Sequence, residues 1–231
     1  LLRGDRLDRM FSYLPYDRIS AQWRGVHLYP SSTANELVRT EIRNPQYGIV
    51  CDAADIDSTQ YRLRMEGSVV HNCAGNGVET KNAYVKLEDC QLTNMLGHCL
   101  SVSGGMAEIG YCTLAQFYPF SADRGVALHF TNKDYPLLQL SGEGLIVTGY
   151  GEDVVAGEQN DQNAFEYTFV NCLLRTPVSG MDATRCSEIL WESPDDEIQG
   201  KAHFVKIDED NLDYDFHLKE TSTAQGLGCY R

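Results

Sequence analysis

The strongest constraint on this chain is an outline that returns. "LRMEGSVVHN" (Leu63 to Asn72), "VKLEDCQLTN" (Val85 to Asn94) and "YTFVNCLLRT" (Tyr167 to Thr176) each set apolar residues two apart, then two spacers, a small residue, and an apolar residue again. Aligned on the small residue, Thr40, Ser68, Cys90, Cys112 and Cys172 share one column, and Ile42, Val70, Leu92, Leu114 and Leu174 share the column two residues on. Asn44, Asn72 and Asn94 follow after two more. Upstream columns hold Leu63, Val85, Ala107 and Tyr167, then Met65, Leu87, Ile109 and Phe169. The middle copies are spaced by 22 residues.

Alternation inside each copy has period two, which makes these segments strands with one face turned inward. A second short strand follows each turn: "GIVC" from Gly48, "GVET" from Gly77, "CLSV" from Cys99 and "GVALHF" from Gly125. A period near 22 also suits leucine-rich repeats, but those need an amphipathic helix in the second half and a different leucine-to-asparagine step. Here that half is rich in Gly and β-branched residues. The pattern predicts an all-β chain folded as a parallel β-helix, a solenoid whose ~22-residue coils stack about 4.8 Å apart. The asparagines should then form a ladder, and the small column should mark a tight bend.

The repeat sets the expected boundaries. Residues 1–231 form a single domain, with regular repeats over 34–177 and irregular coils or a cap over 178–231. "LQLSGEGLIVTGYGEDVV" slips by one residue, which predicts a bulge. The turn "AQFYPFSADR" is enlarged, "SGMDATRCSEILWESPDDEIQG" reads as a long excursion, and "HFVKIDEDNLDYDFHL" reads as further strand around a polar turn. Ser103, Gly104 and Gly105 are expected as a turn between coils. The strand-like opening "LLRGDRLDRM" reads as the continuation of coils upstream.

Composition narrows the partners. A net charge of −14 repels nucleic-acid backbones and anionic membranes. No run approaches the roughly 18 apolar residues of a transmembrane helix. The eight cysteines lack a CxxC pair, and several sit inside strand patterns, so mostly free, buried thiols are expected.

"QWRGVHLY", "IRNPQYGIVCDAADI", "CLSVSGG", "CTLAQFYPFSADRGVAL" and "DYDFHLKETSTAQGLG" resemble gut-bacterial right-handed parallel β-helix lipoproteins, with "CTLAQFYPFSADRG" the most specific part. The chain departs from the usual ending of such proteins, with Ser222, Thr223, Ala224 and Gln225 and a close at Gly228, Cys229, Tyr230 and Arg231. The resemblance implies export and a surface or periplasmic location, with a lipid anchor upstream. It carries no catalytic residue.

Chemistry is expected where the repeat is broken. In the enlarged turn Phe117, Tyr118 and Phe120 could stack on sugar rings, while Asp123 and Arg124 supply charge. The simpler and favoured reading is that the aromatics cover the side of the barrel and Asp123 pairs with Arg124. Tyr150, Glu152 and Asp153 of the neighbouring coil should share a shallow groove with them. The acidic run from Asp208 to Asp215 is weighed for Ca²⁺, but an EF-hand needs Gly at its sixth position, where Asp213 stands. A solvated turn is the better reading, and no cofactor is assigned. His98 and His129 read as satisfied strand residues rather than ligands. Nucleophile-elbow, P-loop and dinucleotide motifs are absent. The expected function is glycan binding or display along an elongated flank. The alternatives are a polysaccharide lyase or glycoside hydrolase, and a structural spacer or adhesin stalk.

Overall fold

The computed structural model describes residues 1–193 and 200–230. Two parallel sheets dominate. A short-strand sheet of seven strands runs in the order Leu190–Trp191, Leu173–Leu174, Ile146–Gly149, Thr113–Gln116, Gln91–Thr93, Val69–His71 and Glu41–Arg43. A sheet of eleven strands is built around the long strands Val78–Glu88 and Leu100–Gly110. Helical structure among the described residues is limited to four three-residue 3₁₀ turns. No helix among them is long and apolar enough to cross a membrane.

The repeat columns are ladder positions. Ile42, Val70, Leu92, Leu114, Val147, Leu174 and Trp191 face one another in register across the short-strand sheet. Leu63, Val85, Ala107, Leu140 and Tyr167 do the same in the other. Inward residues of both sheets meet in one apolar cluster. An extra residue, Leu138, falls between the pairs Gly105–Leu137 and Met106–Gln139, which locates the bulge. Ser103, Gly104 and Gly105 do not separate repeats. They bend the continuous strand Leu100–Gly110, with φ of 67° at Gly104 and 80° at Gly105.

The small column has a reason beyond volume. The residue before it is left-handed in every repeat: Arg39, Gly67, Asp89, Tyr111, Gly144, Asn171 and Glu188, with φ between 47° and 64°. That corner turns the next amide out of the ladder, and a buried N–H needs an acceptor. Thr40 N–H donates to Ser68 Oγ at 3.0 Å, Cys90 N–H to Cys112 Sγ at 3.4 Å, and Leu145 N–H to Cys172 Sγ at 3.4 Å. The same side chains donate to the carbonyl two residues back, as Ser68 does to Glu66 and Cys112 to Gly110. The column is therefore a row of corner hydrogen-bonding groups. Leu145 interrupts it, entering between Cys112 and Cys172.

Two further expectations are corrected. The asparagine ladder is shorter than the columns suggest. Asn72 Nδ2 donates to Asn44 Oδ1 at 2.8 Å, whereas the buried Asn94 side-chain amide has no hydrogen-bond partner among the described residues. The repeat also continues past 177, because Phe169 pairs with Cys186 and Leu173 with Leu190. Of the expected excursion, residues 194–199 lie outside the described residues, as does Arg231. The further strand around a polar turn is an antiparallel hairpin of Phe204–Asp208 and Asp213–Leu218. Phe204 and Phe216 press it onto Ala115, Ile146 and Leu173 of the short-strand sheet. Cys51, Cys73, Cys90, Cys99, Cys112, Cys172 and Cys186 are free thiols, and the first six of them are buried.

Ser68→Ala should cost about 1–3 kcal/mol, because the Thr40 amide loses its acceptor inside the structure. Ser68→Cys should cost less, since Cys fills this corner in the following repeats. Urea unfolding of the two variants against the parent checks the ranking.

Candidate functional site

The enlarged turn is held by Gln116, which stands in register after Asn94 and is buried. Its Nε2 donates to Gly97 O at 2.8 Å and Gly125 O at 3.1 Å, and its Oε1 accepts from Met95 N–H at 3.0 Å. The longer amide spans the wider turn. The structure divides the expected site residues. Phe117 is 0% exposed and packs edge-on to Tyr150 with centroids 5.0 Å apart, so it offers no face to a sugar. Tyr118 is buried with its hydroxyl 3.0 Å from Ser20 Oγ. Both belong to the packing because the C-terminal hairpin and the N-terminal segment cover them.

Arg124, Tyr150 and Asp153 do come together, lining a cavity of about 260 Å³ with Gln116. Arg124 Nε donates to Tyr118 O, and its guanidinium lies 4.7 Å from the Tyr150 ring centroid. Asp123 is exposed and makes no ion pair with Arg124, contrary to the simpler expectation. Lys201, which the repeat could not place, also lies 4.7 Å from the Tyr150 centroid and is paired with Glu209 at 2.5 Å. Burial, then Glu209, raises the Tyr150 phenol above its ordinary value, so it stays protonated. The two cations thus occupy the Tyr150 ring that was expected to line the groove. Glu152 is exposed nearby. The Tyr150–Asp153 turn is braced by Arg175, whose Nε donates to Gly151 O at 2.7 Å and whose guanidinium pairs with buried Glu192 at 3.2 Å. Phe120, 48% exposed, belongs to a separate cleft with Arg18, Arg43, His71 and Tyr214.

A more continuous constellation lies on the outward face of the large sheet. His27, Val50, Glu79, Ser101, His129 and Ala156 stand in register on successive strands. Because Leu100 and Val102 point into the core, Ser101 between them points out. At one end a groove of about 630 Å³ is lined by Arg24, His27, Tyr47, Val50, Glu79 and Lys81. Tyr47 is 44% exposed there. Lys81 Nζ meets Glu79 at 2.7 Å, and Asn76 Nδ2 donates to the other Glu79 oxygen at 2.8 Å. Burial works to raise the Glu79 carboxyl, but these two donors outweigh it and leave it lowered.

Further along, the His98 and His129 rings stack with centroids 4.5 Å apart and planes 13° apart. His98 Nδ1 accepts the Val126 N–H at 3.0 Å, so its proton sits on Nε2. His129 Nδ1 is 3.1 Å from Ser101 Oγ, and His129 Nε2 is 3.8 Å from Glu158. Lys133 holds that carboxylate at 2.5 Å. Burial, then the His129 charge, lowers His98 to about 4, and burial also lowers His129. The sequence reading of both histidines as satisfied strand residues captured their bonds but missed their company. Aligning the second strands by their outward position would have exposed Glu79, Ser101 and His129 as one row. No group of three or more His, Cys, Asp or Glu side chains among the described residues is arranged to hold a metal ion, and the acidic run from Asp208 is a hairpin turn in which Asp208 accepts from Asn211.

Because the folded chain keeps His98 neutral down to about pH 4 while an unfolded histidine protonates near 6.5, this histidine contributes stability fully present above 6.5. That contribution is lost as pH falls toward 4. His98→Asn, which keeps an acceptor for Val126, should flatten the decline of the urea midpoint between pH 7 and pH 4.

Comparison with known proteins brings no relative to these sites: no protein-family model, no curated protein and no solved structure matches the chain.

Proposed function

We propose that the chain is a right-handed parallel β-helix of an exported bacterial surface protein, and that the outward flank of its large sheet binds saccharide. Support for the β-helix comes from the route of the chain. It passes from one parallel sheet to the other and back at each repeat, in register apart from a bulge at Leu138, and crossovers between parallel strands are right-handed in about 98% of cases. Export, and a lipid anchor upstream, rest on the resemblance of "CTLAQFYPFSADRG" and its companions to surface β-helix lipoproteins.

The observation that carries the binding reading is the groove around Tyr47. Its volume of about 630 Å³ falls in the range of small-molecule sites. It combines an exposed aromatic ring with Arg24, Lys81, His27 and Glu79, which gives a stacking face beside polar groups for hydroxyls and carboxylates. Arg24 makes no ion pair among the described residues, so in a chain of net charge −14 its charge is available to an acidic sugar. Rows of outward polar residues at the strand spacing extend this groove along the flank. A polymer with a regular repeat could lie along it.

Titration calorimetry with uronate and neutral oligosaccharides, with and without calcium, tests this directly. Tyr47→Ala should weaken binding about tenfold, and Arg24→Ala should weaken the uronate more than the neutral sugar. Absence of heat with every oligosaccharide, or equal affinity in both variants, removes the reading.

A further inference from the structure

We propose that Ser101, His129 and Glu158 form a hydrolytic triad that removes O-acyl groups from the saccharide held on this flank. The natural substrate rests on the saccharide reading, whereas the hydrolytic chemistry stands on the geometry alone.

The three side chains come from three adjacent parallel strands, Leu100–Gly110, Leu128–Thr131 and Val155–Glu158. Ser101 and His129 are direct ladder partners, which places hydroxyl and imidazole side by side at 3.1 Å. Glu158 sits opposite Thr131, one outward position along, and reaches the far ring nitrogen at 3.8 Å. Nucleophile, base and orienting acid are recognised by such mutual geometry rather than by sequence order. Here the ring is used with its nitrogens exchanged relative to the familiar serine hydrolases: Nδ1 faces the hydroxyl and Nε2 faces the carboxylate. A carboxylate can only accept, so Glu158 favours the tautomer with hydrogen on Nε2, which leaves Nδ1 free to take the serine proton. Burial lowers His129, so at pH 7 it is neutral and its free ring nitrogen can accept a proton, and Lys133 keeps Glu158 ionised. The stacked His98 ring fixes the plane of His129 from behind.

Each step balances within these groups and one water. Ser101 Oγ bonds to the ester carbonyl carbon as its proton passes to His129 Nδ1. The carbon–alkoxide bond then breaks, and the sugar oxygen leaves with that proton. Water attacks the acyl-serine carbonyl, gives its proton to Nδ1, and the carboxylic acid departs as Ser101 recovers the proton. Glu158 carries no proton in this cycle. It stabilises the transient imidazolium.

The test uses 4-nitrophenyl acetate and a fluorophosphonate probe, neither of which needs the saccharide groove. Intact-mass analysis should show one phosphonyl adduct, mapped to Ser101 and absent in Ser101→Ala. Ester hydrolysis should fall at least about 100-fold in Ser101→Ala and His129→Asn. Glu158→Gln should fall less and shift the pH profile, a change that a purely structural loss would not produce. Unchanged urea midpoints exclude unfolding as the cause, and Ser101→Cys, retaining a nucleophile, should still form an adduct with iodoacetamide at that position. Parent protein that takes up no phosphonate, or Ser101→Ala that hydrolyses at the parent rate, overturns the triad. Sugar binding without labelling refutes the triad alone, and labelling without sugar binding refutes only the saccharide reading.

Discussion

Everything in this structure depends on how the chain turns a corner while staying in register. A left-handed residue such as Asp89 or Tyr111 swings the backbone through the bend, at a cost of about 1–2 kcal/mol for a residue with a Cβ. The bend would strand the next amide inside the protein. A Ser or Cys side chain from the neighbouring repeat accepts it, and the same group donates to a carbonyl two residues back. The hydrogen bonds thus run between repeats as well as within them, so each repeat is satisfied only when its neighbour is present. Cooperativity of this nearest-neighbour kind is what lets short strands of two to four residues persist at all.

Register then decides what the surface can do. Inward positions fill one apolar core, and outward positions repeat at the strand spacing, so residues far apart in sequence stand shoulder to shoulder. On the short-strand sheet that outward face is partly consumed by packing. The C-terminal hairpin lays Phe204 and Phe216 across it, and Phe117 joins them beneath the enlarged turn. Among the described residues no such hairpin covers the flank carrying Glu79, Ser101 and His129, and its polar groups stand on strands rather than loops, which favours precise geometry.

The column residues show what was legible. Period-two alternation and the 22-residue spacing of Ser68, Cys90 and Cys112 are local facts of the chain, and they lead directly to parallel ladders. The role of Cys112 was not legible, because its volume suggests packing while its sulfur serves the amide of Cys90, 22 residues away. The enlarged turn was visible as a broken repeat, and Arg124, Tyr150 and Asp153 do share a cavity. From the sequence Phe117, Tyr118 and Phe120 read alike, as a cover for the side of the barrel or as a sugar platform. The burial of Phe117 and Tyr118 follows from the hairpin and from Ser20, distant segments whose docking no local pattern encodes.

By itself, then, the sequence determined that strands of one period stack in register, because side-chain alternation and spacing are properties of the backbone and of adjacent residues. Only the tertiary structure decided which outward residues meet and which breaks in the repeat stay open. Ser101, His129 and Glu158 lie 28 and 29 residues apart in turn and become neighbours only through strand pairing, with bulges and insertions absorbed between them. Short-range forces set the repeat. Long-range packing set the site.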